Sequence, residues 1–345
     1  MDKRVVLAVA GAGKTTFIID QLEEISKALL ITYTENNTRN LRQRIINKFG
    51  YIPKGIKILS YFSYIYSYCL KPLYGYELNL KGINFIQSTP PQIIYTKKDS
   101  KEHYIDSENR IYSNRISKMI LEKGLMPAVL TRLERYFNAI YIDEIQDFSA
   151  NDFNFVCELS KLSCKVILVG DFYQHTFDTS RDGNTQRRLH SCIDYYTKKI
   201  KDSGYKLDEL SLSKSYRCPP DICKFVTDNL GINIESHGNT FGTVRLIEDK
   251  NEIEGIFNDD SIIKLFYRSS NKYPGNTDNW GNVKGLDDFD NVCVVLNKNT
   301  MMKYHSNSLT SLKPTTKNKF YVACTRAKKN LFFIDERKIK KLLNN

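Results

Sequence analysis

Short apolar runs, each followed by a stretch with helical spacing, recur along this chain and restrict its fold more than any other feature. RVVLAVA, ALLITYT, GIKILS, AIYIDE and KVILVGD are continuously apolar rather than alternating, as strands buried on both faces must be. The intervening TTFIIDQLEEISKA and TENNTRNLRQRIINKF carry apolar residues at helical spacing. Strands alternating with helices in this way require parallel sheets covered by helices, an α/β architecture. A second set, DELSLS, VRLIED, SIIKLFY, NVCVVLN and NLFFIDE, begins near residue 205. The 345 residues suffice for two such domains. The expected division is 1–204 and 205–345, with an insertion at about 75–130 where the pattern dissolves into polar and aromatic text around Pro90 and Pro91. Residues 269–283 read as a loop rich in Gly and Asn.

The first strand runs into Ala10-Gly11-Ala12-Gly13-Lys14-Thr15-Thr16 and then a helix. A glycine turn of this kind aims successive backbone N–H groups and a helix N-terminus at an anion. Lys14 is the expected ligand of β- and γ-phosphates, and the Thr15 hydroxyl an expected ligand of Mg²⁺. Ala8 stands where such loops usually carry their first glycine. A phosphate loop needs a metal anchor, and AIYIDEIQDF supplies a hydrophobic strand ending in Asp143 and Glu144. There Asp143 is expected to hold the metal and Glu144 to polarise the attacking water, the competing reading being an acidic strand end facing solvent.

Read in order, the remaining motifs resemble those of the UvrD/Rep-like superfamily 1 helicases. DEIQD is similar to their DExxQD signature, ITYTENNTRNLRQRI (31–45) and ILSYFSYI (58–65) to segments that touch the nucleic-acid strand, and VILVGDFYQHTF (166–177) to the GDxxQ motif. LSLSKSYRCPPDI (210–222), IIKLFYRSS (262–270), VKGLDDFDNVCVV (283–295) and FYVACTRAKKNLFFI (320–334) resemble the later motifs. The resemblance runs nearly end to end. It implies a P-loop NTPase of two RecA-like domains with ATP and Mg²⁺ in the cleft between them, moving 3′–5′ on single-stranded DNA or on DNA with a 3′ tail. It further implies that Gln174 senses the γ-phosphate and that Arg217 and Arg326 stabilise transition-state charge, for which the planar, permanently charged guanidinium suits. Tyr216 is expected on the adenine, with Gly285 and Asp287 completing the nucleotide site at the ribose.

For the strand, Tyr33, Thr34, Asn37, Ser60, Tyr61, Phe62 and Phe177 are the expected contacts, since polar groups and helix N-termini hold phosphates and aromatic rings hold bases. Tyr64, Tyr66 and Tyr68 have spacing that suits a helix packed on a core. Thr179, Asn279 and Gly281 depart from the family pattern, and Trp280 is a candidate replacement platform for a base or else a packed loop residue. With four residues before the first strand, the upstream glutamine element that reads adenine is expected to be absent. Large accessory domains are expected to be missing as well.

The net charge of +12 fits either a polyanion-binding surface or a lysine-rich solvated one. No apolar run is long enough to span a bilayer and no cleavage site follows the N-terminal patch, so a cytoplasmic protein without a membrane partner is expected. The eight cysteines form no CxxC pair and read as small core residues. Beside the motor stands a second reading: a nucleic-acid-sensing ATPase subunit that regulates a partner nuclease in phage defence and unwinds little alone. A nucleotide-binding scaffold without turnover is a third, weakened by the joint presence of Lys14, Asp143, Glu144, Gln174, Arg217 and Arg326.

Overall fold

A computed structural model describes residues 1–85, 96–97, 99–239, 241–287 and 289–343; Pro90 and Pro91 lie outside the described residues. The fold is α/β with parallel sheets, as expected. By its internal contacts the chain divides into two compact units. The first comprises Met1–Val6, Thr15–Gly170 and Phe177–Asp208; the second comprises Leu7–Lys14, Asp171–Thr176 and Glu209–Asn345.

In the first unit a six-stranded parallel sheet has the order β3-β2-β6-β7-β1-β8. The strands are β1 (Lys3–Leu7), β2 (Ala28–Thr32), β3 (Ile56–Ser60), β6 (Ala139–Asp143), β7 (Lys165–Gly170) and β8 (Lys206–Asp208). All of β2 and all but the first residue of β6 and of β7 are buried, which is why these runs show no alternation. The helices Lys14–Asp20, Glu35–Phe49 and Ala150–Glu158 follow β1, β2 and β6. Within the insertion, β4 (Gly82–Asn84) and β5 (Arg110–Tyr112) form a small parallel pair. Its helix Ile116–Glu122 is tied to the segment after Phe177: Asp182 pairs with Arg115 at 2.6 Å and Lys118 at 3.0 Å, both cations being buried. Burial alone would raise the Asp182 carboxyl; hydrogen bonding from Lys118 and the charge of Arg115 bring it below the ordinary carboxylate range.

The second unit carries a five-stranded parallel sheet, β11 (Thr243–Leu246), β15 (Asn330–Asp335), β14 (Asn291–Leu296), β12 (Ile263–Phe266) and β13 (Thr277–Asn279), adjacent in that order. A short parallel pair joins β9 (Lys214–Ser215) to β10 (Glu235–Ser236). The helix Pro314–Cys324 is buried without a break from Phe320 to Cys324 and packs into one cluster with Ala10, Ile222, Val294 and Phe333.

Two expectations about elements are corrected. DELSLS is not a strand of the second sheet: Lys206–Asp208 pairs with β1 in the first sheet, Arg4 against Lys206, and residues past Asp208 turn away. The 269–283 stretch is not all loop, because Thr277–Asn279 pairs with β12. The buried Trp280 anchors that edge: its backbone N–H donates to the Phe266 carbonyl at 2.7 Å and its indole N–H to the Leu265 carbonyl at 2.9 Å.

Candidate nucleotide site and strand-facing groove

The glycine loop is built by backbone needs that the sequence states openly. Gly11 and Gly13 have φ of +71° and +81°, where side chains with a Cβ are strained. Space forbids a Cβ at Gly11 as well, because it would stand 2.6 Å from Arg217 Cβ and 2.7 Å from Ser215 Oγ. The Gly11 carbonyl accepts the Tyr216 N–H at 2.9 Å, and the Leu212 carbonyl accepts the Val9 N–H at 3.0 Å. Ala12 is buried, Gly13 and Lys14 half-buried, and Thr15 and Thr16 lie in the helix Lys14–Asp20. Thr16 is exposed and accepts from Arg44 at 3.2 Å.

Within the second unit the side chains expected at a γ-phosphate meet one another. Arg326, 1% exposed, donates to Val322 O at 3.3 Å, to Leu286 O at 2.8 Å and to Gln174 Oε1 at 3.5 Å. Arg217 donates to the Thr325 carbonyl at 3.1 Å and forms an ion pair with Asp287. Asp287 also lies 3.6 Å from Arg326, so in this state it engages both arginines. Gly285 has φ of +85° with open space where a Cβ would stand. The Tyr216 ring is exposed and stacks on His237 with centroids 4.2 Å apart. His237 escaped the sequence reading because it lies in ESHGN, outside every motif.

In the first unit, Glu144 takes a left-handed conformation (φ 58°, ψ 41°) at the end of β6. A non-glycine residue held there marks a backbone constrained by its surroundings. The Asp143 carboxylate, 4% exposed, accepts the Glu144 N–H at 2.9 Å, and Gln146 donates to Glu144 at 2.5 Å. Gln146 in turn faces Gly170, where a Cβ would lie 2.3 Å from its Oε1. Within the first unit, a buried carboxylate and a second one in a strained backbone form an oxygen donor pair of the kind that suits a magnesium ion.

The expected strand contacts separate into two groups. Tyr33 lies 5.8 Å from Phe62 and 5.2 Å from Phe177, ring to ring, and Phe62 lies 5.2 Å from Phe85. Tyr33, Thr34, Ser60, Phe62, Tyr66 and Phe85 line an open groove of about 530 Å³. Burial first, then the charges of Asp152 and Asp147, push the Tyr33 hydroxyl to about 12, which keeps it a neutral donor. Thr34 caps the helix Glu35–Phe49 by accepting the Asn37 N–H at 3.1 Å. Phe85, 57% exposed, was missed because it lies in KGINFIQ, outside every motif.

Tyr61 and Trp280 are corrections. Tyr61 is fully buried and donates to Asp152 at 2.9 Å, with Ser117 at the same distance, so its ring has no face for a base. Trp280 is equally buried, with Tyr267 and Phe320 each 5.2 Å away, ring to ring. Of the three tyrosines expected in the core, Tyr64 is sealed, Tyr66 is buried but borders the groove, and Tyr68 is half-buried against Phe137. Thr179 is also buried and accepts the Ser149 N–H at 3.2 Å.

A family model described as the viral superfamily 1 RNA helicase core domain matches residues 105–335. The chain belongs to that family. Its superfamily 1 membership agrees with the order of the motifs. Among solved structures, the PRRSV helicase is similar at 13% identity with a TM-score of 0.49, covering 97% of this chain and 52% of that one. An arterivirus nonstructural protein 10 (helicase) in complex with DNA gives 13%, 0.49, 96% and 61%. The arterivirus nonstructural protein 10 helicase in another crystal structure gives 15%, 0.48, 96% and 59%. The chain thus spans between about half and three-fifths of the length of these helicases. Among curated proteins none matches. No helix among the described residues is long and apolar enough to cross a membrane.

Proposed function

We propose that this superfamily 1 helicase is an ATP-dependent motor on single-stranded nucleic acid, of the UvrD/Rep-like 3′–5′ kind, built on two RecA-like domains. One observation carries the reading: the glycine loop is packed so closely on the SYR segment that Gly11 has no room for a Cβ beside Arg217, while Arg326 on the later motif reaches Gln174. A loop that serves only as a turn has no need of two arginines and a glutamine gathered in the same unit.

In this reading the loop N–H groups of residues 11–16 and Lys14 hold the phosphates, and Tyr216 holds the base. Thr15 and Asp143 would hold Mg²⁺, which would supply charge neutralisation at the phosphates. Glu144 accepts the proton of the attacking water. Arg217 and Arg326 leave Asp287 to pair with the transferring phosphoryl, an exchange of one anion for another. Tyr33, Phe62 and Phe177 offer ring faces to the strand. The family's name refers to RNA and one similar structure contains DNA, so both polymers belong in the test.

The purified chain is expected to hydrolyse ATP faster when single strands are added; equal rates with and without DNA or RNA would sink the motor. Glu144→Gln should keep nucleotide binding and lower turnover by about 10²-fold or more, measured by steady-state hydrolysis. Separation of a 3′-tailed duplex divides the two ATPase readings. The short connection 267–276 between β12 and β13 holds no accessory domain, which favours the nuclease-regulating subunit. Strand-stimulated hydrolysis without unwinding is the result expected of that alternative.

A further inference from the structure

The helix Pro314–Cys324 meets the DFYQH segment (171–175) along its length, both within the second unit. Asn318 donates to the His175 carbonyl at 3.1 Å, Tyr321 to Asp171 Oδ2 at 3.0 Å, and Arg326, just past the helix, to Gln174 Oε1 at 3.5 Å. Tyr321 does more than its neighbours. Its hydroxyl, fully buried, also accepts the Ala10 N–H at 2.9 Å, at the entrance to the glycine loop. The other Asp171 oxygen accepts the Tyr173 N–H at 3.1 Å, fixing the turn that leads to Gln174.

We propose that Tyr321 is a positioning residue, whose single hydroxyl ties the first amide of the phosphate loop to the carboxylate that shapes the Gln174 turn. Nothing else about the ring requires an oxygen: it packs on Tyr173 with centroids 6.0 Å apart, inside an apolar cluster where phenylalanine would serve equally. A buried hydroxyl is costly unless both its donor and acceptor functions are used, and here both are. Burial first, then the charge of Asp171, hold this hydroxyl well above the ordinary tyrosine range, so it remains a donor at neutral pH. The arrangement makes the loop and the γ-phosphate-sensing turn move together rather than separately. The catalytic consequence rests on the ATPase reading; the tie itself does not.

Hydrogen exchange and kinetics on the full chain test it. In Tyr321→Phe, exchange at the Ala10 amide should quicken tenfold or more, with far-UV circular dichroism and melting temperature near wild type. Its kcat for ATP should fall about tenfold or more while KM shifts less than threefold. Asp171→Asn should behave similarly, and the double variant should fall no further than the worse single, as expected of two ends of one bridge. Unchanged Ala10 exchange, a kcat within twofold of wild type, or additive losses would overturn the proposal. If Tyr321→Phe does not fold, Asp171→Asn takes the same two readouts from the other end. If the wild-type chain hydrolyses no ATP, the ATPase reading fails and the exchange result alone decides the tie.

Discussion

Gly170 illustrates how narrow the tolerances are at single residues. Its missing side chain is what lets the Gln146 amide of DEIQD sit against the end of β7, with Ile145 Cγ2 2.7 Å from where a Cβ would be. Both neighbours are buried, so neither can step aside into solvent. Gly170→Ala should therefore cost about 1–3 kcal/mol of stability, read from urea unfolding, by overpacking. A loss under a few tenths would mean that the turn relaxes freely. The glycine of this motif is thus a packing requirement, without a left-handed backbone to demand it. At Gly11 both reasons coincide, positive φ and the Arg217 side chain.

At the scale of elements, the segment that opens with Tyr61 shows one helix serving two faces. Phe62 and Ser63 line the groove, whereas Tyr61 and Tyr64 are sealed in the core. Phe62→Ala should weaken single-strand binding by about 1–3 kcal/mol, the worth of one stacked base, measured by fluorescence anisotropy. Tyr61→Phe should leave that affinity unchanged and instead lower stability by about 1–2 kcal/mol, since it strips a donor from the buried Asp152. The reverse pattern would show that the two rings had been assigned to the wrong faces. A helical stretch with aromatics at successive positions declares that one face is buried, but which ring is inside depends on what stands opposite. Here the deciding partners are Ser117 and Asp152, which lie 56 and 91 residues away in sequence.

For the whole molecule, the excess of +12 becomes meaningful once a strand-binding groove is proposed. Binding to single strands should weaken with salt, log K falling against log salt by about 0.7 for each phosphate neutralised. A flat salt dependence across 50–200 mM would assign the lysines to solvation alone.

What the chain's own order of residues determined is the α/β class, the glycine loop, the carboxylate strand end and the ordered helicase motifs. These follow from local rules: continuous apolar runs make buried strands, and an N–H cradle needs glycine at set positions. Tertiary structure alone decided that Lys206–Asp208 joins the first sheet, that Trp280 is sealed against Tyr267 and Phe320, and that Asp287 holds both arginines. It also decided that the Tyr321 hydroxyl bridges Ala10 and Asp171, 311 and 150 residues away. Such pairings are set by which elements close on each other. Spacing along a chain carries no record of a hydrogen bond between residues hundreds of positions apart.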